Sequence, residues 1–531
     1  MAQTEIIASG PVSIGKPSHR PLFAVGAVLL GAFVANFDTR LFSTALPDLR
    51  GAFALSFDEG AWLSTASTAS QIFIAPAVAW LANTFGLRRV LGVPSLVYAA
   101  VSLLIPYVHD YHILLGLNIL HGLLLGTFVP ASLLIIFRNL PTKWWLTALA
   151  IYAIRVGFTL NSGISLVGYY VDQIGWHWLF WQDVFIAPLM GLLVYLGTPQ
   201  EPVNMLLLEE ADWGGMLLLG TGMAMIYSGL DQGNRLDWLE SGTVAALLIA
   251  GSLLTVAFFA NETLVRKPWA HAKVILSRNI GLSLLVIVLY TLTGLSNSSL
   301  APNFLATIAG LRPEQSGPVF LVFGALPMAL LLPLSIYIMR RHDFRWVLMV
   351  GLFAFASASV LGTQITNEWS RSDFVPMILL QSLGQSFCLL PLTIIALSSS
   401  DPTRATAFAA YVQVVRLGGA EIGLALMGTW LRVREQIHSN FLGQHVTGGD
   451  ANVTRILHGL SERFLSNGAS NAQARGVVTL TSLLQREANT LAYIDGFWLT
   501  FWLAIAAIGC AAFIGEAPPG PFVPDARNYR G

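Results

Sequence analysis

Asp38, Arg40, His121, Arg155, Asp183, Arg416 and Glu421 are ionisable residues set inside long apolar stretches. Charge at membrane depth is costly, so such side chains face a cavity or a partner and mark paths for ions and solutes. A carboxyl group such as Asp38 takes up a proton when enclosed and gives it up when water reaches it, which is the chemistry of a proton carrier. The alternative is a permanently ionised Asp38 held in a structural pair with Arg155. Arg40 is a poor partner, because two residues turn a helix by ~200°. His121 titrates near neutral pH and can share in proton handling, or can serve as a hydrogen-bonded packing residue. Arg155 and Arg416 offer planar guanidinium groups to a carboxylate or other anion. Each can equally be neutralised nearby, Arg416 by Glu421 and Arg155 by Asp38. Together with Asn118, one turn before His121, Arg155, Arg416 and Glu421 form the expected lining of a solute cavity. Asp183 follows Trp176, Trp178 and Trp181, an aromatic belt of the kind found where membrane meets water, and is expected at that boundary.

The elements that must position these residues follow from composition. The chain has 531 residues, 55% hydrophobic and 11% charged, against about 25% charged in a soluble domain. The apolar residues come in blocks long enough to cross the ~30 Å hydrocarbon core as helices. About fourteen such spans are expected in an all-α membrane protein, the weakest being 90–107, bounded by Pro94 and Pro106. The N-terminal stretch from Met1 to Arg20 lacks the apolar run of a cleaved signal. Lys and Arg concentrate in the segments assigned inside, among them Lys16, Arg20, Arg88, Arg89, Arg138, Lys143, Arg266, Lys267, Lys273, Arg278, Arg340, Arg341, Arg345, Arg404, Arg527 and Arg530. The short outside loops hold Arg50, Arg235, Arg312 and Arg371. This bias places both termini in the cytoplasm. The acidic segment from Gln200 to Glu210 runs against it. Cys388 and Cys510 lie in apolar blocks and do not make a disulfide framework or a thiolate metal site.

An internal repeat sharpens the plan. Pro130 and Pro391, Arg155 and Arg416, Gly157 and Gly418, and Asn36 and Asn297 recur at one constant spacing. They fall on spans 4 and 12, 5 and 13, and 1 and 9. The chain then divides into a cytoplasmic tail (1–21), six helices (22–198), two inserted helices (199–277), six more (278–515) and a second tail (516–531). Two repeated bundles around a midplane site are a transporter plan. The segment 432–492 lies outside and carries helical patterning at Val453, Ile456, Leu457, Leu460 and Phe464, and again at Val478, Leu480, Leu483 and Leu484. It is expected either as a docking cap or as a hairpin resting on the bilayer.

The sequence resembles the major facilitator superfamily, in its fourteen-helix drug:proton antiporter branch of the EmrB/QacA type. Phe37-Asp38-Thr39-Arg40 leading to Ala45-Leu46-Pro47 is similar to the first-span signature of that branch. The run through Ala79, Leu81, Ala82, Gly86, Arg88 and Leu91 is similar to its conformational loop, with Arg89 alongside. Trp176-His177-Trp178-Leu179-Phe180 and Arg416-Leu417-Gly418-Gly419 with Gly423 resemble its span 6 and span 13 runs. There are departures. Asn83 stands where the loop has Asp. Asn118-Ile119-Leu120-His121-Gly122 lacks the span 4 Arg, and Gly163-Ile164-Ser165-Leu166-Val167-Gly168 lacks the span 5 Gly-Pro. The resemblance implies the major facilitator fold, two six-helix bundles plus two inserted helices, and proton-coupled efflux by alternating access with Asp38 as the coupling carboxylate. It also implies a bacterial inner membrane and a periplasmic adaptor protein docking at 432–492. The expected partners are a small amphipathic molecule, with a lean towards anions, protons and the lipid bilayer. No cofactor, metal or nucleic acid is expected.

Rival classes find little support in the residues. No GxxxxGK[ST] run marks a nucleotide-driven pump, and no HExxH or GxSxG marks a hydrolase. His445 and Asp450 form an isolated HxxxxD spacing of the acyltransferase kind. A sensor that has lost transport is the third class, against which the retention of Asp38 argues. An uncoupled facilitator or an exporter of one specific metabolite remains the alternative. The glycine pairs Gly122 and Gly126, and Gly419 and Gly423, allow close helix approach, whether for rocking or for static packing.

Overall fold

Each expected span is helical in the computed structural model, which describes residues 20–265, 268–275, 277–398, 405–446, 449–466 and 471–515. Lys16, Arg266, Lys267, Arg404, Arg527 and Arg530 lie outside the described residues, as do the tails beyond residues 20 and 515. The side chains of Arg40, Lys143, Arg155 and Lys273 lie outside them too. The long helices are α1 (Pro21–Ala52), α2 (Phe57–Phe85), α3 (Arg88–Tyr107), α4 (Tyr111–Asn139), α5 (Thr142–Tyr169) and α6 (Trp178–Gly197). Then come α7 (Trp213–Gly233), α8 (Gly242–Leu264), α9 (Ile280–Thr307), α10 (Pro313–Met339), α11 (Phe344–Gly362) and α12 (Val375–Ser398). The last three are α13 (Thr406–Gln444), α14 (Ala451–Ser466) and α15 (Ala472–Ala512).

Among the described residues, 12 helices are long and apolar enough to cross a membrane, or 13 if the bent pair Ala148–Thr159 and Asn161–Ile174 is one span. The expected count of fourteen is therefore not reached. The missing helix is α7, whose 21 residues mix glycines, Thr221, Tyr227, Ser228 and Asp231 into its apolar run. The weakest expected span, 90–107, does form: Pro94 comes just after a π-helical turn, Arg88–Gly92, and Pro106 lies in a closing 3₁₀ turn, so both prolines fall at the edges of the regular α-helical stretch Val93–Leu104.

Helix α1 packs on α4, α5 and α6, while α3 packs on α6 and α2 on α4. The α2–α4 contact is close because Gly122 and Gly126 lie against the backbone of Ser67 and Gln71. Later in the chain, α11 packs on α12 and α15, and α15 also contacts α9 and α13. The two groups meet where α5 packs on α10 and α12, and where α2 packs on α13. Helices α7 and α8 pair with each other, and α7 lies against both α2 and α13.

Helices α13 and α15 have 39 and 41 residues, or about 58 and 61 Å of rise, roughly twice the hydrocarbon thickness. The expected loop is thus mostly helix. The last span does not begin near 493 but continues a helix that starts at Ala472. The short α14 packs on α15 with Val453, Leu457, Leu460 and Phe464 half-buried, Ser461 lying against Gly476, and Arg475 over the Phe464 ring. Ile456, expected on the same face, is 52% exposed. The HxxxxD spacing has a structural use: Asp450 Oδ1 accepts from the Asn452 amide at 2.7 Å at the start of α14, and His445 Nδ1 lies 2.9 Å from the Phe441 carbonyl.

Candidate functional site

Asp38 of α1, His121 of α4 and Asp183 of α6 converge inside the first six helices, with a ligating atom of each within 4.8 Å of the others. All three are buried, Asp183 completely. Helix α3 supplies the remaining wall. The Tyr98 hydroxyl donates to Asp38 Oδ2, and the Tyr98 ring stacks on the His121 imidazole at 4.1 Å. His121 Nε2 lies 3.0 Å from Ser102 Oγ. Phe128 and Phe180 close over these rings edge-on, and Tyr170 donates to Gln182 Oε1 at 3.1 Å beside Asp183. Asp38 Oδ1, both Asp183 oxygens and His121 Nδ1 have no hydrogen-bond partner among the described residues.

The burial of Asp183 corrects its expected place at the membrane boundary. Trp178 opens α6, and Asp183 lies more than a turn further in, on the stripe of Asp183, Ala187, Met190 and Val194 that faces α1 and α3. Phe185, Leu189 and Leu192 carry the exposed face. This 3–4 spacing of small or polar residues against bulky ones was the available signal.

The other expected site residues do not form one cluster. Asn118 is buried, and its amide nitrogen donates to the Leu114 carbonyl of its own helix at 2.9 Å. Arg416 sits in a π-helical turn, Val414–Gly418, and its guanidinium donates to Gln413 Oε1 at 3.0 Å; turns of this kind recur at functional positions. Glu421 is half-buried one turn on, where α13 lies along α7 near Tyr227. Arg155 is on α5, two residues before Gly157, which packs on Met328 of α10 and Gln385 of α12.

Between the helix groups lies a buried amide network that sequence reasoning missed. Asn297 of α9 donates to Asn161 Oδ1 at 3.1 Å, and Asn161 Nδ2 reaches Gln385 Oε1 at 3.3 Å and the Gly157 carbonyl at 2.8 Å. Only Asn297 had drawn notice, through the repeat. The α5–α10 contact then continues with Gly168 against the backbone of Pro313 and Glu314, and Gly317 against Ser165.

The loop expected to be conformational, around Gly86, Arg88 and Arg89, joins α2 to α3. Gly86 takes φ +83°, ψ 150°, a combination essentially restricted to glycine. Arg88 Nε donates to the Thr198 carbonyl at 2.7 Å, and Arg89 donates to the Phe85 carbonyl at 3.2 Å. Asn83 replaces a charged partner with a neutral bridge: it accepts from Arg138 at 2.8 Å and donates to Thr406 Oγ1 of α13 at 3.0 Å. Arg138 also grips both carboxylate oxygens of Glu201 at 3.1 Å. That pair gives the acidic segment after α6 a physical role.

These paired helix groups, with buried ionisable residues inside and polar contacts between, define a polytopic secondary transporter rather than an enzyme. The profile of the major facilitator superfamily matches residues 28–430. The chain belongs to that superfamily, and its relatives lie in the EmrB/QacA-like branch. It is 24% identical to the multidrug export protein EmrB of Haemophilus influenzae, over 93% of this chain and 95% of the relative. It is 22% identical to the fatty acid resistance protein FarB of Neisseria gonorrhoeae, over 85% and 88%. Among solved structures, the fold is similar to the xylose transporter XylE of E. coli in a partially occluded inward-open conformation, with TM-score 0.54, 12% identity and coverage of 94% and 99%. The human organic anion transporter MFSD10 gives TM-score 0.52 at 13% identity, covering 91% and 99%.

Proposed function

We propose that this transporter exports small amphipathic molecules, with a preference for organic acids, in exchange for protons entering a bacterial cell across its inner membrane. The observation that carries the reading is the buried Asp38 carboxyl group, held by the Tyr98 hydroxyl with no cation bonded to it among the described residues. Asp38 loads a proton when the outer face is open and releases it when the inner face is open. Residues 22–198 and 278–515 act as the two six-helix halves that rock about the Asn161–Asn297–Gln385 contact. The 199–277 segment is inserted between them, and both termini are cytoplasmic. Arg155, Arg416, Asn118 and Glu421 line the substrate path, and the two arginines favour a carboxylate. The names of the EmrB and FarB relatives, multidrug export and fatty acid resistance, are in keeping with amphipathic cargo. The projecting ends of α13 and α15, with α14 between them, form the docking point for a periplasmic adaptor.

The test is proton release from inside-out vesicles holding an imposed pH gradient, while amphipathic acids, cations and neutral compounds are added in turn. A substrate-dependent collapse of the gradient, absent in Asp38→Asn, is the expected result. Equal collapse in Asp38→Asn removes Asp38 from the mechanism. Counterflow without any gradient response favours an uncoupled facilitator.

A further inference from the structure

Asp183 has no place in the reading above, yet it is the most completely enclosed member of the cluster. Its two oxygens meet no hydrogen-bond donor among the described residues, and Asp38 Oδ1 meets none either. The titratable groups facing it are Asp38 from α1, Tyr98 from α3, His121 from α4 and Tyr170 from the end of α5. Among the described residues none is a fixed cation. Two ionised carboxylates enclosed so near each other repel strongly, and one proton held between them removes that repulsion. Two of the surrounding groups are already engaged, while His121 Nδ1 has no partner among the described residues. Tyr98 gives its hydrogen to Asp38 Oδ2, and His121 Nε2 is engaged with Ser102. A metal ion held by Asp38, His121 and Asp183 would need water or further ligands to complete its shell, whereas a shared proton needs only the two carboxyl oxygens.

We propose that Asp183 is the second half of the proton-carrying site: Asp38 and Asp183 share one proton between their carboxyl groups and load and release it as a unit. This rests on the reading of Asp38 as the coupling carboxylate. The O–H bond that breaks on release belongs to the pair, the proton passes to water on one face, and water on the other face restores it. The pair titrates in macroscopic steps that belong to neither residue alone. Neutral Asn118 stands at the position of the missing span 4 arginine, and among the described residues the second carboxyl group is an ionisable side chain set beside Asp38.

Two measurements on the full-length protein in proteoliposomes test the proposal. The first reacts the wild-type chain with dicyclohexylcarbodiimide, which attacks carboxyl groups that hold a proton in apolar surroundings, and maps the adducts by mass spectrometry. One adduct per chain is expected, divided between Asp38 and Asp183. Adducts on Asp38 alone, or two per chain, overturn the sharing. The second compares gradient-driven transport with substrate counterflow, which needs no net proton movement. Asp183→Asn is expected to lower gradient-driven transport at least about tenfold with counterflow retained, and Asp183→Glu to restore most of it. Wild-type gradient-driven transport in Asp183→Asn, alongside loss in Asp38→Asn, overturns the role of Asp183 and leaves that of Asp38 standing. Normal coupling in both variants overturns both. A stoichiometric metal in the purified protein, lost in Asp183→Asn, makes the cluster a cation site and refutes the shared proton.

Discussion

Gly168 and Gly317 set how tightly α5 and α10 close on each other. A methyl group at 168 comes within 2.5 Å of the Glu314 amide nitrogen, and one at 317 within 2.5 Å of Ser165 Cα. Backbone atoms cannot rotate aside, so Gly168→Ala must push the helices apart. Overpacking of this kind costs about 1–3 kcal/mol. Alanine also favours the helix by about 1 kcal/mol, a gain that cancels from the ratio of open to closed states so long as α5 stays helical around residue 168 in both. What remains converts to a loss of about 5–150-fold in the population closed at this face. The assay is the distance between spin labels at Tyr169→Cys and Val322→Cys, both solvent- or lipid-exposed positions flanking the contact, with Cys388 and Cys510 replaced. The shorter-distance population should give way to a longer one in Gly168→Ala, and likewise in Gly317→Ala. A folded variant with the wild-type distance distribution would refute the argument that this contact sets the closed state.

The other end of the molecule offers two further tests. Arg138→Ala leaves Glu201 without its cation and Asn83 without a donor. The side chains of the pair are 18% and 21% exposed, which limits the loss to about 1–2 kcal/mol, and maleimide labelling of a cysteine at the buried Ala82 position should quicken by about 5–30-fold; an unchanged rate would show that the pair does not hold this face shut. At Gly86 the backbone angles exclude Asn as firmly as Ala, so Gly86→Ala and Gly86→Asn should lower the thermal midpoint in detergent to a similar degree, at about 1–3 kcal/mol each. Clear recovery by Asn would mean that the loop relaxes into an ordinary left-handed turn.

The helices were legible because lipid demands long apolar blocks, and the blocks survive in the sequence whatever packs against them. Helix α7 shows the limit of that signal, since a helix sheltered by α2, α8 and α13 can afford glycines and polar groups that dilute it. The burial of Asp38 was legible because a carboxyl group in the middle of an apolar run has few exposed places to go. Asp183 was misjudged because the neighbouring tryptophans spoke for the boundary, while depth depends on where α6 begins and which face it turns inward. Asn161 and Gln385 escaped notice for another reason: a neutral amide gains meaning only from the helix opposite, and no local pattern announces that partner. Arg138 and Glu201 are far apart in sequence, so the acidic segment looked anomalous until its cation was found.

The position of α7 bears on how cargo reaches the interior. Under the proposed rocking of the two helix groups, two lateral seams arise, one between α2 and α13 and one between α5 and α10. Helix α7 stands over the first. Gly220 lies against the Phe73 backbone, Arg235 pairs with Asp58, Met223 covers Gly418, and Asn234 donates to Thr429 at 3.0 Å. The same helix is thus fastened to both sides of one seam, while the α5–α10 seam has no such strip among the described residues. A compound dissolved in the bilayer meets a caulked joint on one flank and a bare one on the other, which makes a pseudo-symmetric machine one-sided towards the lipid.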